Sequence, residues 1–579
     1  MSSRHDHEIK LEPTPRMFIP YVSGLPLRLL VLFLEYVPGL SNYFFWSRKI
    51  NVLRNKRFND EITVMPLPLP NEVFGIEEPM IINGLEIFDQ KNKYNPILEN
   101  QKFLCARDFT EAYLAKRVTP IQVCEKLIDK IDHSCSKACD PPLYGMYQYH
   151  KDDIMAQAKA STARYNQKLS LGPLDGVPVA IKDEFDVFGY ETHGGTLFLN
   201  RGKPASKDAF LVKKLKDQGA IIIGKTNMHE IGFGTTTNNP NTQTTRNPYN
   251  PNHYCGGSSG GSACVVSSGL CPIAVGCDGG GSIRIPSSFC GIYGLKPTCG
   301  RISMTGDYPF INSVGVAGPM AANVDDLALA YYVMAGKDPE DPKTLLQPSP
   351  TLHNIYHTNT LTDLKIGVFS AWNKQVIDPN IKFALQTFMN EFQLRGAKFI
   401  EIDIPELDNA RIAHLITITS ELCSTMNGYR KSLRLLSPPN KMNFAVYNHI
   451  SSSDYIKAQQ IRTRIMRNFS KIFTGVNLIL TPTCAITAPP IYPRALKYGE
   501  INPSVTYNGV MYTQLANLIG IPAITVPAGY NDKDLPIGLQ FMAKWYDEAT
   551  LLRVAKASEE ILGSNRRKPS EKYWFGDLL

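Results

Sequence analysis

The sequence carries no long basic run and no basic stripe interleaved with aromatics, which counts against nucleic-acid binding. Its 61 basic and 53 acidic residues leave a formal charge of only +8 over 579 residues. An imbalance this small allows at most a mild attraction to an anionic membrane surface. None of its twelve cysteines forms a CxxC pair. The closest spacing, Cys135 and Cys139 with His133 nearby, lacks the further ligands at defined spacing that a zinc site needs. Six cysteines lie between Cys255 and Cys299, mostly among small apolar neighbours. They read as reduced, buried, small hydrophobes in a reducing compartment, not as a disulfide framework. The apolar stretch Leu25 to Pro38 is broken by Arg28, Glu35 and two prolines, so it falls short of a membrane-spanning helix. A signal peptide is also disfavoured, because the start holds Asp6 and Glu8 and no clear cleavage site follows.

What is present is a globular composition, 43% hydrophobic and 20% charged, with material for a sizeable core. The chain divides into an arm and strap over residues 1–95 and one large domain over 96–579. The arm joins leucines to Tyr43-Phe-Phe-Trp46 and then Arg48 and Lys49. That composition suits a helix lying in a membrane interface, with basic residues beside the headgroups. The competing reading is an amphipathic helix packed on the body or on a partner subunit. Residues 50–100 are proline-rich (Met65-Pro-Leu-Pro-Leu-Pro70) and read as an extended strap without its own core.

Thr119, Pro120 and Gln122 predict a capped helix with Leu127, Ile128 and Ile131 on its buried stripe. A second helix is expected from about Lys151 to Lys168. Beyond Gly172, short apolar strands alternate with helices, at 177–181, 220–223, 273–275, 366–369, 478–480, 523–526 and 537–541. The alternation implies an α/β fold around a buried sheet. No internal repeat and no long linker appear after residue 100.

Three motifs fail on context. Gly219-Ala-Ile-Ile-Ile-Gly224-Lys225-Thr226 fits the phosphate-loop pattern, but its centre is a strand and a helix precedes it. His229-Glu230 lacks the second histidine of a zinc protease. Gly256-Gly-Ser258-Ser-Gly260 fits the nucleophile elbow of α/β-hydrolases, but the preceding Asn247-Pro-Tyr-Asn-Pro-Asn-His253 makes a poor strand. Two features remain. Ser258 and Ser282 each sit in a glycine nest, which can give a nucleophile with free N–H groups beside it. Lys182 ends the apolar strand Val177-Pro-Val-Ala-Ile181. It is either an ion partner of Asp183 or Asp186 or a base with a lowered pKa.

These residues resemble the amidase-signature hydrolases. The likeness rests on Leu174-Asp-Gly-Val-Pro178 with Lys182, Ile221-Ile-Ile-Gly-Lys-Thr-Asn227 and the stretch Gly256 to Pro297. It continues through Gly318-Pro-Met, Val324-Asp-Asp326, Asn517-Leu-Ile-Gly-Ile-Pro-Ala523 and Leu535-Pro-Ile-Gly-Leu-Gln540. It covers the chain from about residue 100 onward. Within that family, His229-Glu-Ile-Gly-Phe-Gly-Thr235, Gly300-Arg-Ile-Ser-Met-Thr-Gly306 and Ser453-Asp-Tyr-Ile-Lys-Ala458 are similar to plant-type fatty-acid amide hydrolases.

The resemblance implies a single large α/β domain, with a central mixed sheet sandwiched by helices and an N-terminal apolar arm. It implies Ser282 as nucleophile, Ser258 as bridging serine on a cis peptide, and Lys182 as general base. Ser259 and Arg284 would support the site. Gly279, Gly280, Gly281 and Ser282 would form the oxyanion hole, and Phe233 would line the substrate channel. No metal or cofactor is implied. The expected substrates are lipophilic amides such as N-acylethanolamines, met at an endomembrane by an intracellular, monotopic homodimer. The alternatives are a small-amide or amidotransferase-type member of the family, and a non-catalytic lipid-binding protein on the same fold.

Overall fold

The computed structural model describes residues 21–47, 50–54, 56, 58–67 and 103–579. Its centre is an eleven-stranded mixed sheet. In chain order the strands, with one short pair outside the sheet, are β1 (Val22–Ser23), β2 (Met146–Gln148), β3 (Pro178–Lys182), β4 (Ile221–Thr226) and β5 (Ile273–Asp278). Then come β6 (Tyr293–Lys296), β7 (Val316–Ala321), β8 (Lys365–Val368), β9 (Lys398–Glu401) and β10 (Leu478–Pro482). β11 (Glu500–Ile501), β12 (Ala523–Tyr530) and β13 (Pro536–Ala543) complete the set. The spatial order is β2-β4-β3-β5-β7-β6-β12-β13-β10-β8-β9. β3 runs parallel to both β4 and β5, and β8 parallel to β9 and β10. The remaining pairs in the sheet are antiparallel.

All seven strands expected from the sequence lie in this sheet. Interior strands such as β3, β4 and β5 are buried along their whole length. They read as continuous apolar runs because helices cover both faces. β4 turns the would-be phosphate loop into sheet, and its Lys225 forms a buried ion pair with Asp183 at 3.3 Å. The helix Pro120–Cys135 carries the expected capping box, with Leu127, Ile128 and Ile131 buried. A second helix runs from Lys151 to Gln167. All twelve cysteines are free, and the six from Cys255 to Cys299 are buried.

The described part of the arm forms α1 (Gly24–Tyr36) and α2 (Leu40–Ser47). Pro26 sits in the first turn of α1, where a missing N–H costs nothing. The inner face of α1 buries Leu27, Val31 and Leu34 with Met442. Its outer face leaves Leu25, Leu29, Leu32, Phe33 and Tyr36 exposed, at the three- and four-residue spacing of one stripe. Tyr43 and Trp46 of α2 are exposed as well. β1 pairs with β11, Val22 facing Ile501 and Ser23 facing Glu500. The described strap has no core of its own. It is held by side chains of the helix Ser452–Gly475, with Gln460 donating to Asp60 O (2.9 Å) and Thr463 to Glu61 O (2.7 Å). Residues 1–20 and 68–102 lie outside the described residues. Among the described residues, no helix is long and apolar enough to cross a membrane.

Candidate active site

β3 delivers Lys182 to the middle of the molecule, where it is 1% exposed. Its Nζ donates to Ser258 Oγ at 2.9 Å and to Cys277 O at 3.2 Å. Of the two ion partners that the sequence suggested, Asp183 is taken by Lys225 and Asp186 accepts from Thr192 at 2.6 Å. The acid beside Lys182 is Glu184, with Oε1 at 3.2 Å. That residue escaped the sequence reading. The signal for it was its i, i+2 position at the end of a strand, where alternate residues share a side.

The two serines are not equivalent in this structure. Ser258 follows a cis Gly257–Ser258 peptide, leads into the helix Gly260–Ser267, and is 1% exposed. Ser282 lies beyond the end of β5, ahead of the helix Arg284–Phe289, and is only half-buried. The two nests touch through Ser259, whose N–H donates to Ser282 O at 3.2 Å. Ser259 Oγ also donates to Cys277 O at 3.3 Å.

Asp278 organises the second nest. It accepts from Gly281 N–H (2.7 Å), Ile283 N–H (3.0 Å) and both Nε and Nη2 of Arg284 (3.0 and 2.9 Å). Burial alone would raise its pKa, but the Arg284 guanidinium and the Ile283 N–H hold it well below the usual carboxylate range. Arg284 is itself fully buried. It donates to Thr513 O (2.8 Å), Gln540 Oε1 (2.7 Å) and Asn517 Oδ1 (2.6 Å). Gly281 N–H is therefore engaged by Asp278. The N–H groups of Gly279, Gly280 and Ser282 meet no acceptor among the described residues.

Ser282 borders two cavities. The larger, about 260 Å³, is lined mainly by apolar side chains including Phe233, Ile285, Leu415 and Ile418. Glu500, Ile501 and Asn502 line another part of it. The smaller, about 20 Å³, is bounded by Lys182, Ser258, Ser282 and Gly279, with Glu184, Cys277 and Asp307 also on its wall. Ligand atoms of those last three lie within 4.8 Å of one another, the separation of a cation site. Burial and the neighbouring Glu184 push the Asp307 carboxyl well above its ordinary range.

Two histidines border the large cavity, His229 and His414. Burial lowers both from 6.5 to about 4; Lys182 adds to the effect at His229, while Arg462 adds to it at His414 against a raising bond to Gly279 O. Both are neutral at pH 7. Their folded values lie below the unfolded one, so the stability they contribute is full above pH 6.5. It is lost as the pH falls toward 4, because the unfolded chain takes up the protons first. The loss amounts to about 3 kcal/mol for each histidine. Replacing His229 with asparagine is expected to shrink the difference in unfolding free energy between pH 7 and 4.5 by about 2.5 kcal/mol. Urea titrations at the two pH values measure it, and an unchanged difference contradicts the assignment.

Lys182, Ser258, Ser259, Ser282, Arg284, Phe233 and the glycines 279–281 thus converge on one centre. A basic amine touches a buried hydroxyl, and a second hydroxyl faces a cavity beside free N–H groups. That set can perform acyl transfer. Known proteins point the same way. The model of the family described as Amidase matches residues 125–552. A fatty acid amide hydrolase of Oryza sativa subsp. indica is 42% identical over 82% of this chain and 78% of its own. One from Medicago truncatula is 37% identical over 98% of this chain and 96% of its own. A bacterial aryl acylamidase of the amidase-signature enzymes superposes with a TM-score of 0.70 at 25% identity, covering 82% of this chain and 98% of that one. The chain belongs to the amidase-signature family, and it is an amide-hydrolysing enzyme.

Proposed function

We propose that this protein hydrolyses fatty-acid amides, N-acylethanolamines among them, through an acyl-enzyme on Ser282. The observation that carries the chemistry is the 2.9 Å bond from buried Lys182 to buried Ser258, next to a half-buried Ser282 at the cavity wall. Lys182 in its neutral form takes the Ser258 proton, and Ser258 takes that of Ser282. Ser282 Oγ then bonds the acyl carbon, and the carbonyl electrons move to an oxyanion. Free N–H donors in this position are typically worth about 3 kcal/mol each. As the C–N bond breaks, the relay returns the proton to nitrogen, because an amide anion leaves poorly. Water, deprotonated by the same relay, cleaves the ester and regenerates Ser282.

The lipid half of the reading is supported by the apolar cavity and by the plant relatives. An apolar channel gains about 0.8 kcal/mol per buried methylene, which is about a fourfold gain in kcat/KM per methylene until the channel fills. An acylethanolamide series of rising chain length tests this. A rate that falls with chain length would assign the enzyme to short amides instead.

The exposed stripe of α1 supports membrane docking. It lies on the segment whose β1 pairs with β11, and Glu500 and Ile501 of β11 line the cavity. A lipid substrate could then pass from the bilayer surface toward Ser282. Changing Leu25, Leu29 and Phe33 together to glutamate is expected to weaken vesicle binding by at least about 100-fold, since each apolar side chain contributes about 1.5–3 kcal/mol. Turnover of a short soluble anilide should stay the same. Unchanged flotation with anionic vesicles would show instead that the stripe meets a partner subunit, such as the second copy of a homodimer.

A further inference from the structure

The loop from Asp278 to Ser282 has five carbonyls, and each has a donor. Asp278 O accepts from Asn517 Nδ2 at 2.7 Å, Gly279 O from His414 Nε2 at 2.7 Å, and Gly280 O from Thr513 Oγ1 at 2.7 Å. Gly281 O accepts from Ile285 N–H (2.7 Å) and Ser282 O from Ser259 N–H (3.2 Å). A trans peptide points its N–H opposite its carbonyl, so holding one end aims the other. The Gly280–Gly281 peptide is held at both ends, by Thr513 and by Asp278. Among the described residues, the Gly279–Gly280 peptide is held at its carbonyl alone, by His414, and its N–H is free.

That peptide is the one in most need of a clamp. Glycine on both sides permits conformations closed to other residues, so the peptide can rotate at little steric cost. Side-chain bulk cannot stiffen it, because a Cβ at Gly280 would come within 2.9 Å of His414 Cε1. Between positions 271 and 290 only Gly280 and Ser282 are half-buried, and both face the large cavity. Asn517 and Thr513 both belong to the Arg284 network; His414 approaches separately, from the helix Leu407–Met426.

We propose that His414 is a positioning residue for the oxyanion site, holding the Gly279–Gly280 peptide so that Gly280 N–H faces the carbonyl oxygen of the substrate attacked by Ser282. A carbonyl oxygen only accepts, so the proton sits on Nε2 of the imidazole. Burial keeps the ring neutral, and a neutral ring holds the peptide without placing a cation beside the cavity. The proposal deepens the reading of Ser282 as nucleophile and rests on it.

The test is His414→Phe, which keeps the ring and removes the donor. With the peptide free to turn, kcat should fall about 100-fold while KM stays within about twofold. The affinity of a long-chain trifluoromethyl ketone, whose hemiketal oxyanion needs the same N–H, should weaken by the same factor. A fatty alcohol of equal length carries no carbonyl and should bind as before. His414→Gln presents an amide N–H near the same place and should recover about tenfold of the loss. If the phenylalanine variant is not soluble, His414→Leu is measured in its place. Equal losses for ketone and alcohol, or an unchanged kcat, would overturn the proposal. A Ser282→Ala control separates the two claims, because retention of tight ketone binding in it would sink the nucleophile assignment whatever His414 does.

Discussion

Replacing Ser282 with alanine is expected to lower kcat for amide hydrolysis by about a million-fold, the loss seen when a serine hydrolase loses its nucleophile. Labelling by a fluorophosphonate should disappear with it. The variant should fold as before, because among the described residues no side chain bonds the Ser282 hydroxyl, while Ser282 O still accepts from Ser259 N–H. Ser258→Ala provides the contrast. Ser258 is buried against Lys182 and removed from the large cavity, so that variant should still be labelled, slowly, on Ser282. The two alanine variants thus give unlike results from two serines that look alike in sequence. Labelling that survives in Ser282→Ala would move the nucleophile elsewhere.

Lys182→Ala should cost on the order of 10⁴-fold in kcat at neutral pH, the upper end for a general acid–base group. The upper end applies because the same amine acts twice, first accepting the proton of the attacking hydroxyl and then returning it to the leaving nitrogen. The second duty matters for an amide and little for an ester, whose alkoxide leaves more readily. The loss should therefore be smaller for a matched fatty-acid ester than for the amide. In the variant, hydroxide must replace the lysine, so the residual rate should rise steeply with pH. A loss of less than about tenfold, or equal losses for ester and amide, would remove Lys182 from the base role. Glu184 complicates its removal, since its Oε1 loses the Lys182 Nζ that lies 3.2 Å away. Lys182→Met, which keeps the volume without the charge, controls for packing.

Local signals carried far in this chain. Thr119, Pro120 and Gln122 specify a helix start through contacts within four residues, and that start is present as expected. The three isoleucines of β4 mark a buried strand, and burial is what makes a phosphate loop untenable there. β6 and β7 were harder to see. Tyr293-Gly-Leu-Lys296 and Val316-Ala-Gly-Pro-Met-Ala321 hold glycine, proline and a lysine, which read as loop in isolation. Their neighbours in the sheet decide the matter: β7 lies between β5 and β6, and β6 between β7 and β12.

The site divides along the same line. Lys182, Ser258 and Ser282 stand out in sequence because glycine nests and a strand-ending lysine are unusual, while their separate roles are implied only by the family resemblance. The groups that orient them come from far away. Arg284 is tied to Asn517 and Gln540, and His414 reaches Gly279 across 135 positions. Nothing near His414 in sequence marks it, since it sits in a long helix among ordinary apolar neighbours. Only the fold brings its ring to the glycine loop.

The most direct test of the whole arrangement is to find which serine takes the covalent group. Purified protein would be reacted with a long-chain fluorophosphonate, digested, and fragmented by mass spectrometry that resolves Ser258 from Ser282. The phosphonate is expected on Ser282 alone, with no modification of Ser258. Phosphonate on Ser258 would contradict the division of labour between the two serines, and with it the path of the proton through Lys182.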